Sequence, residues 1–188
     1  MRRAVVYLFI LCLASLLSCK GNDYKVNIEN INLNLEFINL DSILYASKGQ
    51  TAIVRKNELL KKDADLLNYT VGYCYHISSS SDTAYMNGLT LFYTDQYIQR
   101  LEKVIANKFS SKERKETEIS DAFKRLKFHF PKNKFPKRIA YINSLFSASV
   151  NCSDNFIAIG LDRYLGNNEE VIKELPSNQF YQWIKEGM

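Results

Sequence analysis

Few residues of this sequence have the types and spacing that enzymes use. The chain has two histidines, His76 and His129, and neither has a second histidine close to it in sequence. No His-Glu-x-x-His segment occurs, so the usual metalloprotease zinc site cannot be built from local sequence. No Gly-x-Ser-x-Gly elbow and no Gly-x-x-x-x-Gly-Lys phosphate loop occurs either. These motifs therefore predict no catalytic residue, no metal and no cofactor.

The acidic residues have structural interpretations. One group has helical spacing and is typical of a solvated helix face: Glu113, Glu116, Glu118 and Asp121. Asp162 differs, because it follows a strongly apolar stretch and a glycine, where a side chain often serves a site or a turn. The simplest role for its carboxylate is to accept backbone N–H bonds from the turn that follows it.

A basic stretch interleaved with aromatic residues follows the acidic group. Its cations are Lys124, Arg125, Lys127, Lys132, Lys134, Lys137 and Arg138. In the cytoplasm this pattern would suggest nucleic acid, whereas outside it the ligands to consider are anionic lipid headgroups or an acidic protein partner. A merely solvated face is the alternative to any contact. We take Lys134, Lys137 and Arg138 as the predicted partner surface.

The first residues predict export. Two arginines precede an uncharged apolar run, residues 4–17, which is too short for a permanent bilayer-spanning helix and typical of a signal peptide. The run ends in Leu-Leu-Ser-Cys at positions 16–19, which resembles a bacterial lipobox. That resemblance implies cleavage before Cys19 and acylation of its sulfur, whereas an ordinary secretory signal is the alternative. Lys20, in place of an inner-membrane retention aspartate, favours the outer membrane, and the membrane face stays open.

Two cysteines remain in the exported chain besides Cys19. In an oxidising compartment Cys74 and Cys152 could form one long-range disulfide, or both could be buried thiols. The absence of a Cys-x-x-Cys spacing excludes a zinc knuckle and a thioredoxin-type site.

Hydrophobic periodicity predicts the elements that must position these residues. Alternation over 31–37 indicates a strand, and helical spacing follows over 51–75, around 89–105 and over 111–130. Ser81 or Asp82 is the expected N-cap of the second helix. Short strands are predicted near 139–142, 147–151 and 156–160, the last two as a hairpin, and a final helix from about 177. Helices before a small sheet favour an α+β fold.

Length and charge set the remaining limits. The 188 residues are 46% hydrophobic and leave room for about one domain. We predict a signal peptide over 1–18, a tether over 19–25 and one α+β domain over 26–188. Removing Arg2 and Arg3 with the signal lowers the formal charge from +5 to +3, because 23 basic residues then face 20 acidic ones. This excess is too small to indicate a nucleic-acid partner.

Several segments together resemble one family. They are Asp121-Ala122-Phe123, Phe130-Pro131, Pro136-Lys137, Tyr141-Ile142, Phe146 and, most specifically, the apolar strand that runs into Gly160-Leu161-Asp162-Arg163-Tyr164-Leu165-Gly166. These resemble the gliding motility lipoprotein GldB family of Bacteroidetes, and the lipobox fits as well. The resemblance implies an envelope lipoprotein needed by the gliding apparatus, which is tied to type IX secretion. Because family members extend further, it also implies that this chain is an N-terminal portion.

Three functions follow from the sequence and this resemblance. The first is a non-catalytic lipoprotein of the gliding and secretion machinery, bound to membrane lipid through Cys19 and to protein partners. The second is a zincin-like hydrolase whose active-site half lies beyond this sequence, since the family is similar to zincin-like putative peptidases. The third is a generic ligand-binding envelope lipoprotein unrelated to motility.

Overall fold

The structure is a computed structural model that describes residues 26–47 and 49–177. Within that part of the chain, helices dominate the sequence up to His129 and a small mixed sheet and a short helix follow. The predicted α+β class is therefore confirmed. The signal peptide, Cys19, the tether and the helical pattern over 180–184 lie outside the described residues.

The first helices lead away from a short strand. Strand β1 (Glu36–Asn39) runs directly into helix α1 (Leu40–Ala46), where the Asn39 side chain accepts a hydrogen bond from the Ser42 N–H. Helix α2 (Gln50–Leu67) continues as a π-helical segment (Asn68–Cys74). The backbone at Asp63 is non-helical, with φ −162° and ψ 70°, so the predicted 51–75 helix bends there.

The next predicted helix is two helices in the structure. Helix α3 (Asp82–Thr94) is capped by Ser81, as the sequence predicts, and one residue separates it from helix α4 (Gln96–Lys108). Asp95 separates them because its backbone is extended while its carboxylate accepts the Ile98 N–H at 3.0 Å. Helix α5 (Glu113–His129) has acidic residues in its first turn and basic residues in its last, which suits the helix dipole.

The sheet has the strand order β1-β2-β4-β3. Strands β1, β2 (Arg138–Ile142) and β4 (Phe156–Gly160) are mutually parallel, and β3 (Val150–Cys152) pairs antiparallel with β4. The predicted hairpin over the last two strands is thus confirmed. A 3₁₀ turn (Leu161–Tyr164) and helix α6 (Glu170–Lys173) follow β4.

Both faces of the sheet are covered. Ala140 and Ile142 of β2 pack into one apolar cluster with helices α1 to α4, whereas Tyr141 packs into a second cluster with α4, the 3₁₀ turn and α6. This alternation is the period of two expected of a strand. Helix α5 contrasts with the other long helices because none of its residues is buried. No helix in the described part of the chain combines the length and the apolarity needed to span a bilayer.

Two strand predictions need correction at their ends. The alternation over 31–37 forms a ladder only from Glu36, opposite Arg138, because β2 supplies partners no earlier. The strand predicted over 147–151 begins at Val150, because the preceding residues form a loop in which the Ser147 N–H bonds the Ser144 carbonyl at 3.0 Å.

Candidate functional site

The carboxyl ends of the three parallel strands meet at one edge of the sheet. Asp41 lies two residues after β1, Asn143 and Ser144 follow β2, and Asp162 lies two residues after β4. All four residues are buried. Open α/β sheets commonly bind ligands at this edge, so a ligand-binding or catalytic site is most expected there.

Asp162 holds the loop that follows β2. Its carboxylate accepts the Ser144 N–H at 2.7 Å, the Ser144 hydroxyl at 2.9 Å and the Phe146 N–H. Leu145 and Phe146 have φ of 49° and 61°, in the left-handed region that non-glycine residues rarely adopt. The carboxylate therefore stabilises a strained loop.

The position of that loop requires a glycine on the adjacent strand. A Cβ at Gly160 would collide with the Ala148 carbonyl oxygen and would lie 2.6 Å from the Ser144 hydroxyl. Asp162 thus accepts backbone N–H bonds, as predicted, but the groups that donate them are not the predicted ones. The carboxylate accepts N–H bonds from the loop after β2, which is distant in sequence, and not from the turn that follows it.

Two further acids lie near this edge, of which Asp41 is buried and Glu102 is partly buried. The Tyr75 hydroxyl donates to Asp41, and Asn143 donates from its side-chain amide to Glu102 of α4 at 2.7 Å. We call Asp41, Glu102 and Asp162 the buried acid cluster. Among the described residues, no lysine or arginine forms an ion pair with any of the three.

Burial without a cation raises the pKa of every carboxyl in the buried acid cluster. For Asp41 burial is the largest cause and the charge of Glu102 adds to it, while the Tyr75 hydroxyl opposes both. Burial also raises the pKa of Glu102 and of Asp162, against the hydrogen bonds that each accepts. Burial therefore shifts the equilibrium of each of these carboxyls towards its protonated form, relative to the same group in water.

The raised pKa values predict a pH dependence of stability. As pH rises through the ordinary carboxyl range, the unfolded chain loses protons that the folded chain still holds, so the free energy of unfolding falls until the raised pKa of the folded state is passed. We expect Asp41→Asn to reduce this fall and to leave the protein at least as stable as wild type at neutral pH, because the amide oxygen can still accept the Tyr75 hydroxyl.

Urea unfolding at several pH values, followed by circular dichroism, measures this dependence. Asp65→Asn is the matched control, since Asp65 is an exposed acid on α2, and we expect it to leave the profile unchanged. An Asp41→Asn protein that is destabilised at neutral pH and keeps the full pH dependence would contradict the interpretation.

The geometry gives these side chains a structural role. Ser144 and Asp162 are fully buried and bound to each other. Both histidines are exposed, and no group of three His, Cys, Asp or Glu side chains in residues 26–47 and 49–177 could hold a metal ion. What this edge does is fix the ends of three strands and the loop between two of them.

The predicted partner surface is divided by the structure. Lys134 and Lys137 are exposed, but Arg138 is not available to a partner. Its guanidinium binds Glu36 at 2.8 Å and the buried Asp63 at 2.5 Å. Arg138 therefore joins β1, β2 and the bend in α2, and the contact surface must be drawn without it.

The predicted disulfide is not formed in the structure. Cys74 is a buried free thiol at the end of the π-helical segment, and Cys152 is an exposed free thiol on β3. Burial raises the pKa of Cys74 to about 12, so this thiol behaves as a small apolar residue. The exposed Cys152 contradicts the alternative in which both cysteines are buried thiols.

Sequence reasoning missed Asp41, Glu102 and Asp63. Asp41 carried a usable signal, because it follows an apolar strand as Asp162 does. Glu102 and Asp63 carried none, since each lies beside a lysine in a helical stretch and is shielded from solvent only by the way its helix packs.

Comparison with known proteins identifies the family. No curated protein and no solved structure matches the chain. Residues 21–188 match the family model described as "Gliding motility protein GldB". The match begins two residues after Cys19 and includes the Gly160–Gly166 segment on which the resemblance in the sequence depends. The chain belongs to the GldB family of gliding motility proteins.

Proposed function

We propose that this protein is a non-catalytic lipoprotein component of the gliding motility and type IX secretion machinery. In this proposal, acyl chains on Cys19 anchor it to the outer membrane, where it holds protein partners of the machinery. The observation that carries the proposal is the family match over residues 21–188. The lipobox-like residues just before that range support the anchor.

The anchor accounts for the start of the chain. Cleavage before Cys19 would leave a seven-residue tether, 19–25, between the acylated sulfur and the described domain. Two acyl chains suffice for stable attachment, because each buried CH₂ group contributes about 0.8 kcal/mol. The domain would then be held close to the membrane by a short, polar segment.

A non-catalytic role agrees with the hydrogen bonds at the carboxyl edge of the sheet, where open α/β sheets commonly bind ligands. At the carboxyl edge of the sheet, both oxygens of Asp162 accept hydrogen bonds from the loop after β2, and the Ser144 hydroxyl donates to one of them. These groups are fully buried and act on the backbone. Their arrangement supports a scaffold.

A deletion strain of the native host tests the proposal. We expect deletion to impair gliding or type IX secretion, and a wild-type copy to restore it. A Cys19→Ala copy should fail to complement because it cannot be acylated. Cys12→Ala is the matched control, since Cys12 lies inside the apolar run and should be dispensable.

Two results would contradict the proposal. Normal gliding and normal secretion in the deletion strain would favour a generic envelope lipoprotein. Full complementation by Cys19→Ala would show that function does not require an acyl anchor at this position.

A further inference from the structure

Helix α5 ends in an exposed basic and apolar surface. We call residues 124–137 the basic tip: the last turns of α5 and the loop that leads to β2. Three large apolar side chains are roughly half exposed there, Leu126 at 43%, Phe128 at 48% and Phe130 at 52%. These three lie within five consecutive residues at the end of a helix that buries none of its residues, and neighbouring exposed apolar groups commonly mark a contact surface.

The cations of the basic tip are largely free of protein partners. Arg125, Lys132, Lys134 and Lys137 form no ion pair with another described residue. Only Lys124 has a nearby acid, Asp121 at 3.9 Å. The sequence contains no Asp or Glu from 122 to 153, so no acid within the basic tip itself compensates its charge. Its ligand should be negatively charged.

The tip is also a defined structure. Phe123 of α5 packs edge-to-face on Phe135 of the following loop, with the ring centroids 6.4 Å apart. A turn closes the loop, in which the Asn133 N–H donates to the Phe130 carbonyl at 3.1 Å. The exposed phenyl rings and the free cations are therefore presented together by a short, folded segment.

The segment that leads to the predicted anchor touches this surface. The Lys127 ammonium donates to the Asn32 carbonyl at 2.7 Å. Asn32 lies thirteen residues after Cys19, a chain length that spans at most roughly 45 Å when fully extended. An anchor at Cys19 would thus hold the end of α5 within that distance of the bilayer surface. The opposite end of α5 carries Glu113 and Glu116, so the positive charge of the helix is concentrated at the end that Asn32 contacts.

We infer that the basic tip binds the anionic phospholipid surface of the membrane that holds the anchor. Lys132, Lys134 and Lys137 would contact headgroup phosphates, and Phe128 and Phe130 would enter the interfacial region. This inference deepens the proposed function by naming the ligand of its contact surface, and it rests on the proposed anchor only for orientation. It also explains why Arg138, which is held inside the fold, is not needed in that surface.

Vesicle sedimentation of the unlipidated chain tests the inference. The chain would comprise residues 19–188 with Cys19→Ser, which retains every described residue. We expect it to sediment with vesicles of phosphatidylcholine and phosphatidylglycerol, to be released by salt, and to stay in solution with phosphatidylcholine alone. Lys132→Glu with Lys134→Glu should weaken binding by roughly tenfold or more, because each cation near an anionic surface contributes a several-fold factor.

Two further double variants test whether binding depends on the charges and the phenyl rings of the basic tip and not on net charge alone. Lys61→Glu with Lys103→Glu makes the same change in net charge at exposed positions away from the basic tip, and we expect it to bind as wild type does. Phe128→Ala with Phe130→Ala should weaken binding on the order of tenfold while retaining the salt dependence. Circular dichroism would confirm that each variant is folded.

Three results would overturn the inference. They are equal binding to both kinds of vesicle, equal loss in the tip and control charge variants, and no binding to either vesicle, which would instead assign the tip to an acidic protein partner. None of these depends on gliding or acylation, so a failure here is distinct from a failure of the deletion test.

Discussion

Replacing Asp162 with alanine is expected to destabilise the protein by about 3 kcal/mol or more. The change leaves the N–H groups of Ser144 and Phe146 without their acceptor inside the protein, and it removes the bonds that hold Leu145 and Phe146 at positive φ. A loss of this size is a large part of the total stability of a typical domain. Urea unfolding monitored by circular dichroism measures it.

The controls for Asp162 separate its hydrogen bonds from its charge. Asp154→Ala removes an exposed acid from the turn between β3 and β4 and should change the free energy of unfolding by no more than about 0.5 kcal/mol. Ser144→Ala removes only one of the three bonds to the carboxylate, so its cost should be smaller than that of Asp162→Ala. Equal, small effects of Asp162→Ala and Asp154→Ala would show that the loop does not depend on this carboxylate.

Replacing Arg138 with methionine is expected to cost about 3 kcal/mol. The guanidinium is the cation paired with Asp63, whose side chain is only 6% exposed, and its loss would leave that carboxylate buried without compensation. Removing one member of a buried ion pair is much more damaging than removing both. The double variant Arg138→Met with Asp63→Asn should therefore recover part of the loss, and a double-mutant cycle measures the coupling.

Lys137→Met is the matched control for Arg138. The two residues are adjacent cations, but Lys137 is exposed and makes no side-chain hydrogen bond or ion pair with another described residue. We expect Lys137→Met to leave stability within about 0.5 kcal/mol of wild type. Similar losses for both substitutions, or no coupling with Asp63, would contradict a structural role that is specific to Arg138.

These two predictions show where sequence reasoning stops. Helices α2 and α5, the helical stretch that contains α3 and α4, the three later strands and the Ser81 cap follow from hydrophobic period and capping chemistry, which are local. The short helices α1 and α6 were not predicted. The bonds from Asp162 to Ser144 and from Arg138 to Asp63 join residues 18 and 75 positions apart. No local pattern specifies such pairs, so the sequence predicted a turn cap for one residue and a partner contact for the other.

The buried acid cluster illustrates the same limit. Glu102 is an ordinary member of a helix by sequence, and its partial burial depends on how α4 packs against the ends of the strands. In contrast, the exposed character of the basic tip could be predicted, because its charges and aromatic residues are contiguous. What the structure adds there is the contact of Lys127 with the segment that leads toward Cys19.

The most direct test of the proposed lipid anchor of this GldB-family protein is mass spectrometry of its N-terminal peptide after purification from the envelope of the native host. We predict a peptide that begins at Cys19 and carries the mass of a diacylglyceryl group, with or without an additional acyl chain on its amine. A peptide that retains residues 1–18, or one that is cleaved there but carries no lipid, would contradict the account.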